Sequence, residues 1–158
     1  MQAMRKKQHR KYVPDTRFIV MDRRIGIDYS RGVPEGLQLY VKDRTIVDYN
    51  NVPYNGISQF IVRDDLNLRL AKVFPAEVFY MPHPTLTKGG PVIGAGQADL
   101  VSGEVLEAIA ESGHYRDKVN PVEYSINTLR TFWQAVEKNR IKISDFATSS
   151  LRYILFRG

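Results

Sequence analysis

The chain has 158 residues, enough for one compact domain that buries about two-thirds of its unfolded surface and needs no disulfide or metal for stability. It has no cysteine, which excludes disulfides, thiolate zinc sites and cysteine nucleophiles, and no apolar run approaches the roughly 20 residues of a membrane span. The net charge of +6 is local: the first 24 residues hold eight lysines and arginines against two aspartates, and residues 25–158 are neutral, so the excess marks an arm and not a basic domain.

Residues 1–16 are polar, charged and aperiodic, and read as a basic flexible arm or linker. Such an arm gains affinity for phosphate backbones by counterion release, docks on an acidic partner, or stays solvated. A single α+β domain is expected over residues 17–158. Its first strand is the apolar run 18–21, and Gly32, Pro34 and Gly36 mark a loop. In residues 37–41, Leu37, Leu39 and Val41 alternate with Gln38 and Tyr40, as in a half-buried strand, and residues 45–49 repeat this more weakly. Residues 50–56 form a turn cluster. The apolar runs 59–63 and 68–73 bracket Asp64, Asp65, Leu66 and Asn67, which predicts a hairpin. Residues 77–81 are aromatic and extended, and Pro82 and Pro84 then flank His83. A residue before proline is pushed out of helical geometry, so His83 is expected to be held rigidly at a strand end.

Val92, Ile93 and residues 98–101 predict a glycine-punctuated strand, and Ser102-Gly103 a turn. Residues 104–110 are read as the returning strand of that hairpin in preference to a short helix. Asn120-Pro121-Val122-Glu123 is a helix start: Asn120 suits the cap, Pro121 the first position, and Glu123 can reach back. Behind it Val122, Ile126, Leu129, Trp133 and Val136 predict one apolar face, with the end near Asn139. A final strand is expected over 151–156. The sum is an α+β fold, a mostly antiparallel sheet with one long amphipathic helix packed on it.

The chemistry gathers in residues 83–115. Two of the three histidines, His83 and His114, stand near its ends, and six glycines lie between. Gly94-Ala95-Gly96 lacks the third glycine of a dinucleotide fingerprint, and no Gly-Lys-Ser/Thr phosphate loop occurs. Gly94 and Gly96 either let a ligand approach the backbone or serve turns and bulges in a twisted sheet. His83 and His114 could act as the acid–base pair of a metal-independent ribonuclease, with the basic arm on RNA. The histidines show no metal-ligand spacing, so no metal site is expected. Tyr115 either stacks on a flat ligand ring or fills core.

Over residues 60–145 the chain resembles a domain found in plant IQ-motif calmodulin-binding proteins and in bacterial effector and polymorphic-toxin C-terminal regions. The resemblance is carried by His83-Pro84-Thr85-Leu86, Gly89-Gly90-Pro91-Val92, Ala95-Gly96-Gln97, the hairpin at Gly103, Ser112-Gly113-His114-Tyr115 and the helix from Pro121. Pro84 and Gln97 stand where that pattern has serine and glutamate, the proline after the tetrad is displaced to Pro121, and no IQ motif is present.

His83-x-Thr85 is similar to the opening of the NAD site in poly-ADP-ribose-polymerase-like transferases. The resemblance implies a toxin- or effector-type ADP-ribosyltransferase that uses NAD as substrate, needs no metal and modifies a protein or RNA target. His83, Thr85, Gly94, Gly96 and Tyr115 would hold NAD. The catalytic groups would be His83, His114, Tyr115 and the polar residue Gln97, with Glu123 as an alternative to Gln97. A cognate immunity or inhibitor protein and a cytoplasmic site of action, reached as part of a larger secreted protein, also follow from it. A non-catalytic interaction domain is the remaining alternative.

Overall fold

The computed structural model describes residues 11–12, 33, 35–73, 90–110 and 119–147. The arm's first ten residues and the expected strands at 18–21, 77–81 and 151–156 lie outside the described residues. After a 3-10 turn at Glu35–Leu37 come β1 (Gln38–Lys42), β2 (Thr45–Val47), β3 (Gly56–Val62), β4 (Leu68–Lys72), β5 (Gly94–Val101), β6 (Glu104–Ile109) and α1 (Pro121–Lys138). The six strands make one sheet in the order β2-β1-β4-β3-β5-β6, with every neighbouring pair antiparallel. The helix packs on one face, so the fold is α+β.

Three hairpins fix the order. β3 and β4 turn through residues 63–67, where Asp65 Oδ1 accepts the Asn67 amide at 2.9 Å. β5 and β6 turn through Ser102 (φ 50°) and Gly103 (φ 76°), and β1 and β2 through Asp43 (φ 51°) and Arg44 (φ 69°). Two positive φ angles in a two-residue turn match the right-handed twist of the flanking strands.

One face of the sheet carries Leu39, Ile46, Phe60, Val62, Leu70, Ala98, Leu100, Val105 and Ala108 against Phe132, Trp133, Ala135 and Val136 of α1. Phe60 stacks on Phe132 with ring centroids 4.3 Å apart, and Phe132 meets Trp133 edge-on at 5.3 Å. Truncating any of these rings costs about 3–5 kcal/mol. A smaller cluster on the other face joins Tyr12, Ile61, Ala71, Val92, Ala95 and Tyr124. There Tyr12 pairs with Val92 through both backbone bonds, and the Tyr124 hydroxyl donates to the Ala95 carbonyl at 2.8 Å.

The helix buries the later part of the face its pattern predicts, with Trp133 and Val136 in the core and Leu129 packed against it, and adds residues the pattern does not predict. Its buried residues are Tyr124, Thr128, Thr131, Phe132, Trp133, Ala135 and Val136, whereas Val122 and Ile126 are 71% and 45% exposed. The reason is a close approach to β5. A β-carbon on Gly94 would lie 2.7 Å from Thr131 Oγ1 and 3.0 Å from Thr128 Cα, so small polar side chains are buried against the strand there. The Asn120 side chain makes no capping hydrogen bond, and Pro121 at the first position has no amide there to leave unsatisfied.

The sheet curls until its two edges meet. The Ile46 amide donates to Gly103 O at 2.8 Å, the Gly103 amide to Tyr54 O, and the Tyr54 amide to Ile46 O. Beyond the helix, residues 142–144 bridge the same gap: Lys142 N donates to Arg44 O, Val105 N to Lys142 O, and Ser144 N to Val105 O. These bonds cover part of the two edges, where unpaired backbone would recruit another chain.

Gly96 faces the core with the Ile109 carbonyl and the Phe60 ring where a β-carbon would stand, whereas nothing lies within 4 Å of the equivalent point on Gly36. Gly96→Ala should therefore cost about 3 kcal/mol or more in urea denaturation, because the obstacle is backbone and cannot yield. Gly36→Ala should stay within about 0.5 kcal/mol of the parent.

Tyr54 donates its hydroxyl to Ile57 O at 3.0 Å, and burial raises the phenol pKa above its ordinary 10.0. A raised acid pKa means that the fold favours the neutral phenol. Its contribution is complete below about pH 10 and is lost as pH rises through the folded value. The thermal midpoint of the parent should fall more steeply than that of Tyr54→Phe between about pH 9 and pH 11.

Candidate functional site

Strand alternation sends every second residue of β3, β5 and β6 to the face away from the helix. The register sets these residues in two rows. Gln59, Gln97 and Ile109 form one; Ile57, Asp99 and Glu107 form the next. A third row, Ile61 and Ala95, is sealed by the Tyr12 cluster. Below that seal, Ile57, Gln97, Asp99, Glu107, Ile109 and the backbone of Ala98 and Ala108 line a hollow of about 170 Å³. Ligand pockets commonly span about 300–1,000 Å³, so this hollow admits a single ring or sugar and no more.

A β-bulge makes the acidic wall. From the turn, Val101 pairs with Glu104 and Leu100 with Val105, but Asp99 pairs with Glu107, leaving Leu106 as an extra residue. Without the extra residue, Glu107 would point with Val105 into the core. With it, Val105 and Ala108 are both buried and Glu107 turns outward to face Asp99. Side chains directly opposite on antiparallel strands have β-carbons about 5 Å apart, and two like charges there repel. Neither Asp99 nor Glu107 has an ion-pair partner among the described residues. Two unneutralised carboxylates beside an amide, with Ile57 and Ile109 as apolar walls, suit a positively charged centre or a group that gives up a proton.

Of the residues singled out in the sequence, Gln97 lies in this hollow. Gly94 and Gly96 flank it on the same strand but face the core, and packing against Thr128, Thr131, Phe60 and the Ile109 carbonyl accounts for both. The space a ligand would use at their core face is taken by protein atoms. Glu123 is exposed in the first turn of α1 and does not line the hollow. His83, Thr85, His114 and Tyr115 lie outside the described residues. Asp99 and Glu107 were not singled out. Asp99 was legible as the residue two places from Gln97 on one strand; Glu107 was hidden by the bulge. Among the described residues no group of three or more His, Cys, Asp or Glu is placed to hold a metal ion.

No family model, no curated protein and no solved structure matches the chain. The resemblance drawn above rests on its motifs alone.

The facing carboxylates give a direct test of the register. Glu107→Gln should raise stability by about 0.3 kcal/mol at pH 7. The gain should shrink in about 1 M salt, which screens the repulsion between exposed charges. Paired urea denaturation curves at low and high salt measure it.

Proposed function

We propose that the hollow is the reactive end of an ADP-ribosyl-transfer site, in a toxin- or effector-type enzyme that cleaves NAD and modifies a protein or RNA target. The observation that carries this reading is the gathering of Gln97, Asp99 and Glu107 in one small cavity with apolar walls. It supplies the carboxylate that Gln97, an amide, cannot. The cavity's size limits what enters to the nicotinamide-bearing ribose; the remainder of the dinucleotide would lie outside it.

In this reading the bond between nicotinamide and ribose breaks, and its electron pair leaves on the nicotinamide nitrogen. Positive charge develops at the ribose carbon, where Asp99 stabilises it. The Gln97 amide holds a ribose hydroxyl. The acceptor's nucleophile bonds to the same carbon, and Glu107 takes the proton it releases. The sequence resemblance assigns His83 and Thr85 to binding NAD and Tyr115 to stacking on its ring.

Nicotinamide release from NAD tests the reading. Asp99→Asn should lower the rate about 100-fold or more, and Glu107→Gln should lower transfer to an acceptor by a similar factor. Both changes relieve repulsion, so folding is retained and lost activity cannot be blamed on unfolding. Equal rates in parent and Asp99→Asn, or no release above background in the parent, would reject the assignment.

A further inference from the structure

A second concavity lies where α1 ends. Arg44, Val136, Glu137, Arg140, Ile141, Lys142 and Ile143 line a groove of about 590 Å³. Its floor is aliphatic, from Val136, Ile141 and Ile143. Its rim carries three cations against the one carboxylate of Glu137. Lys142 is engaged with Glu104 at 3.4 Å, but Arg44 and Arg140 have no ion-pair partner among the described residues.

Both arginines stand in the left-handed region, at φ 69° and 55°. That backbone is costly for a side chain with a β-carbon, and glycine or asparagine would hold it more cheaply. Both are turn positions, Arg44 in the β1–β2 hairpin and Arg140 just past the end of α1, so the backbone fixes where each side chain leaves the chain. The Arg44 Nε–H donates to the Arg140 carbonyl at 3.2 Å, which orients the guanidinium and leaves its outer nitrogens to a ligand. Cations here also complement the negative end of the helix dipole. The final carbonyls are otherwise served, however: Asn139 N and Asn139 Nδ2 donate to Ala135 O, Arg140 N to Glu137 O and Ile141 N to Val136 O.

We infer that this groove binds an acidic peptide segment, with an aspartate or glutamate between the two guanidinium groups and a neighbouring aliphatic side chain on the Val136–Ile141–Ile143 floor. Arginine's planar fork matches a carboxylate by two parallel hydrogen bonds. The lining argues for peptide over nucleic acid. Among the described residues no aromatic side chain lines the groove to stack a base, and Glu137 on the rim opposes a continuous line of phosphates. The groove shares no lining residue with the hollow around Gln97.

The test uses the full chain and fluorescein-labelled synthetic probes in anisotropy titrations. The probes are a peptide alternating glutamate and leucine, its glutamine counterpart and an oligouridylate. The variants are Arg44→Asn, Arg140→Asn and the double change, chosen because asparagine tolerates the left-handed backbone, with circular dichroism to establish that the fold is kept. The acidic peptide should bind the parent and weaken about 10-fold with each substitution. The glutamine peptide should bind at least about 10-fold more weakly than the acidic one. An acidic peptide that does not bind, or that binds the folded double variant as well as the parent, overturns the proposal. So does an oligouridylate that binds the parent more tightly than the peptide and loses that binding in the double variant.

Discussion

The fold depends on how closely two elements approach β5. On its core face the strand reads Gly94, Gly96, Ala98 and Leu100, growing from no side chain to a large one along its length. At the narrow end the helix backbone comes within 3.0 Å of the point where a β-carbon on Gly94 would stand. One step further, the Phe60 ring and the Ile109 carbonyl occupy the corresponding space beside Gly96. Leu100 at the other end of the strand belongs to the same core cluster as Val105, Trp133, Val136 and Ile141. A helix held at van der Waals distance from strand backbone gains dispersion contacts along its whole length, and those contacts are lost if it is pushed out by even one methyl group.

The same constraint explains what the sequence conveyed and what it concealed. Both glycine-free apolar runs of the β3–β4 hairpin, the Ser102-Gly103 turn and the Asn120-Pro121 start of the helix were legible, because each is a local signal with a local cause. The helix face was legible only in part. Its aliphatic period found Leu129, Trp133 and Val136 but also selected the exposed Val122 and Ile126, and it missed Thr128 and Thr131, the small side chains that a strand offering glycine demands opposite. A pattern of hydrophobicity cannot register a contact in which the partner has no side chain. The Asp43-Arg44 turn was hidden for another reason: it takes two positive φ angles without glycine or asparagine, held from outside by the Lys142 amide on the Arg44 carbonyl.

In the candidate site Gln97 was legible, Asp99 was legible through it, and Glu107 was not. Period-two alternation places Asp99 beside it once residues 94–101 are known to be one strand. Glu107 requires the bulge, and the bulge is visible in the sequence only as an imperfection: Val105 and Ala108 are both apolar, yet they lie three apart, an odd spacing that a regular strand sends to opposite faces. An extra residue at Leu106 is the one way to bury both. The cost of the solution is an acidic residue turned to face another. Fold stability gains nothing from that pairing, which separates these carboxylates from side chains whose presence packing explains.

β6 ties the two concavities together. Its Val105 is bonded on both sides by Lys142 and Ser144, the stretch that floors the cationic groove with Ile143. The very next residue is the extra one of the bulge, and the residue after that is Glu107. The position of the acidic wall is thus fixed by backbone hydrogen bonds to the segment that forms the other groove. Those bonds hold the irregular part of β6 between two rigid neighbours, β5 on one side and residues 142–144 on the other. A bulge left at a free edge would be able to slip by one residue and return Glu107 to the core side. The bonds from residues 142–144 to Val105 oppose that slip at the residue where the bulge begins, so the geometry of the hollow depends in part on how the two edges of the sheet are joined.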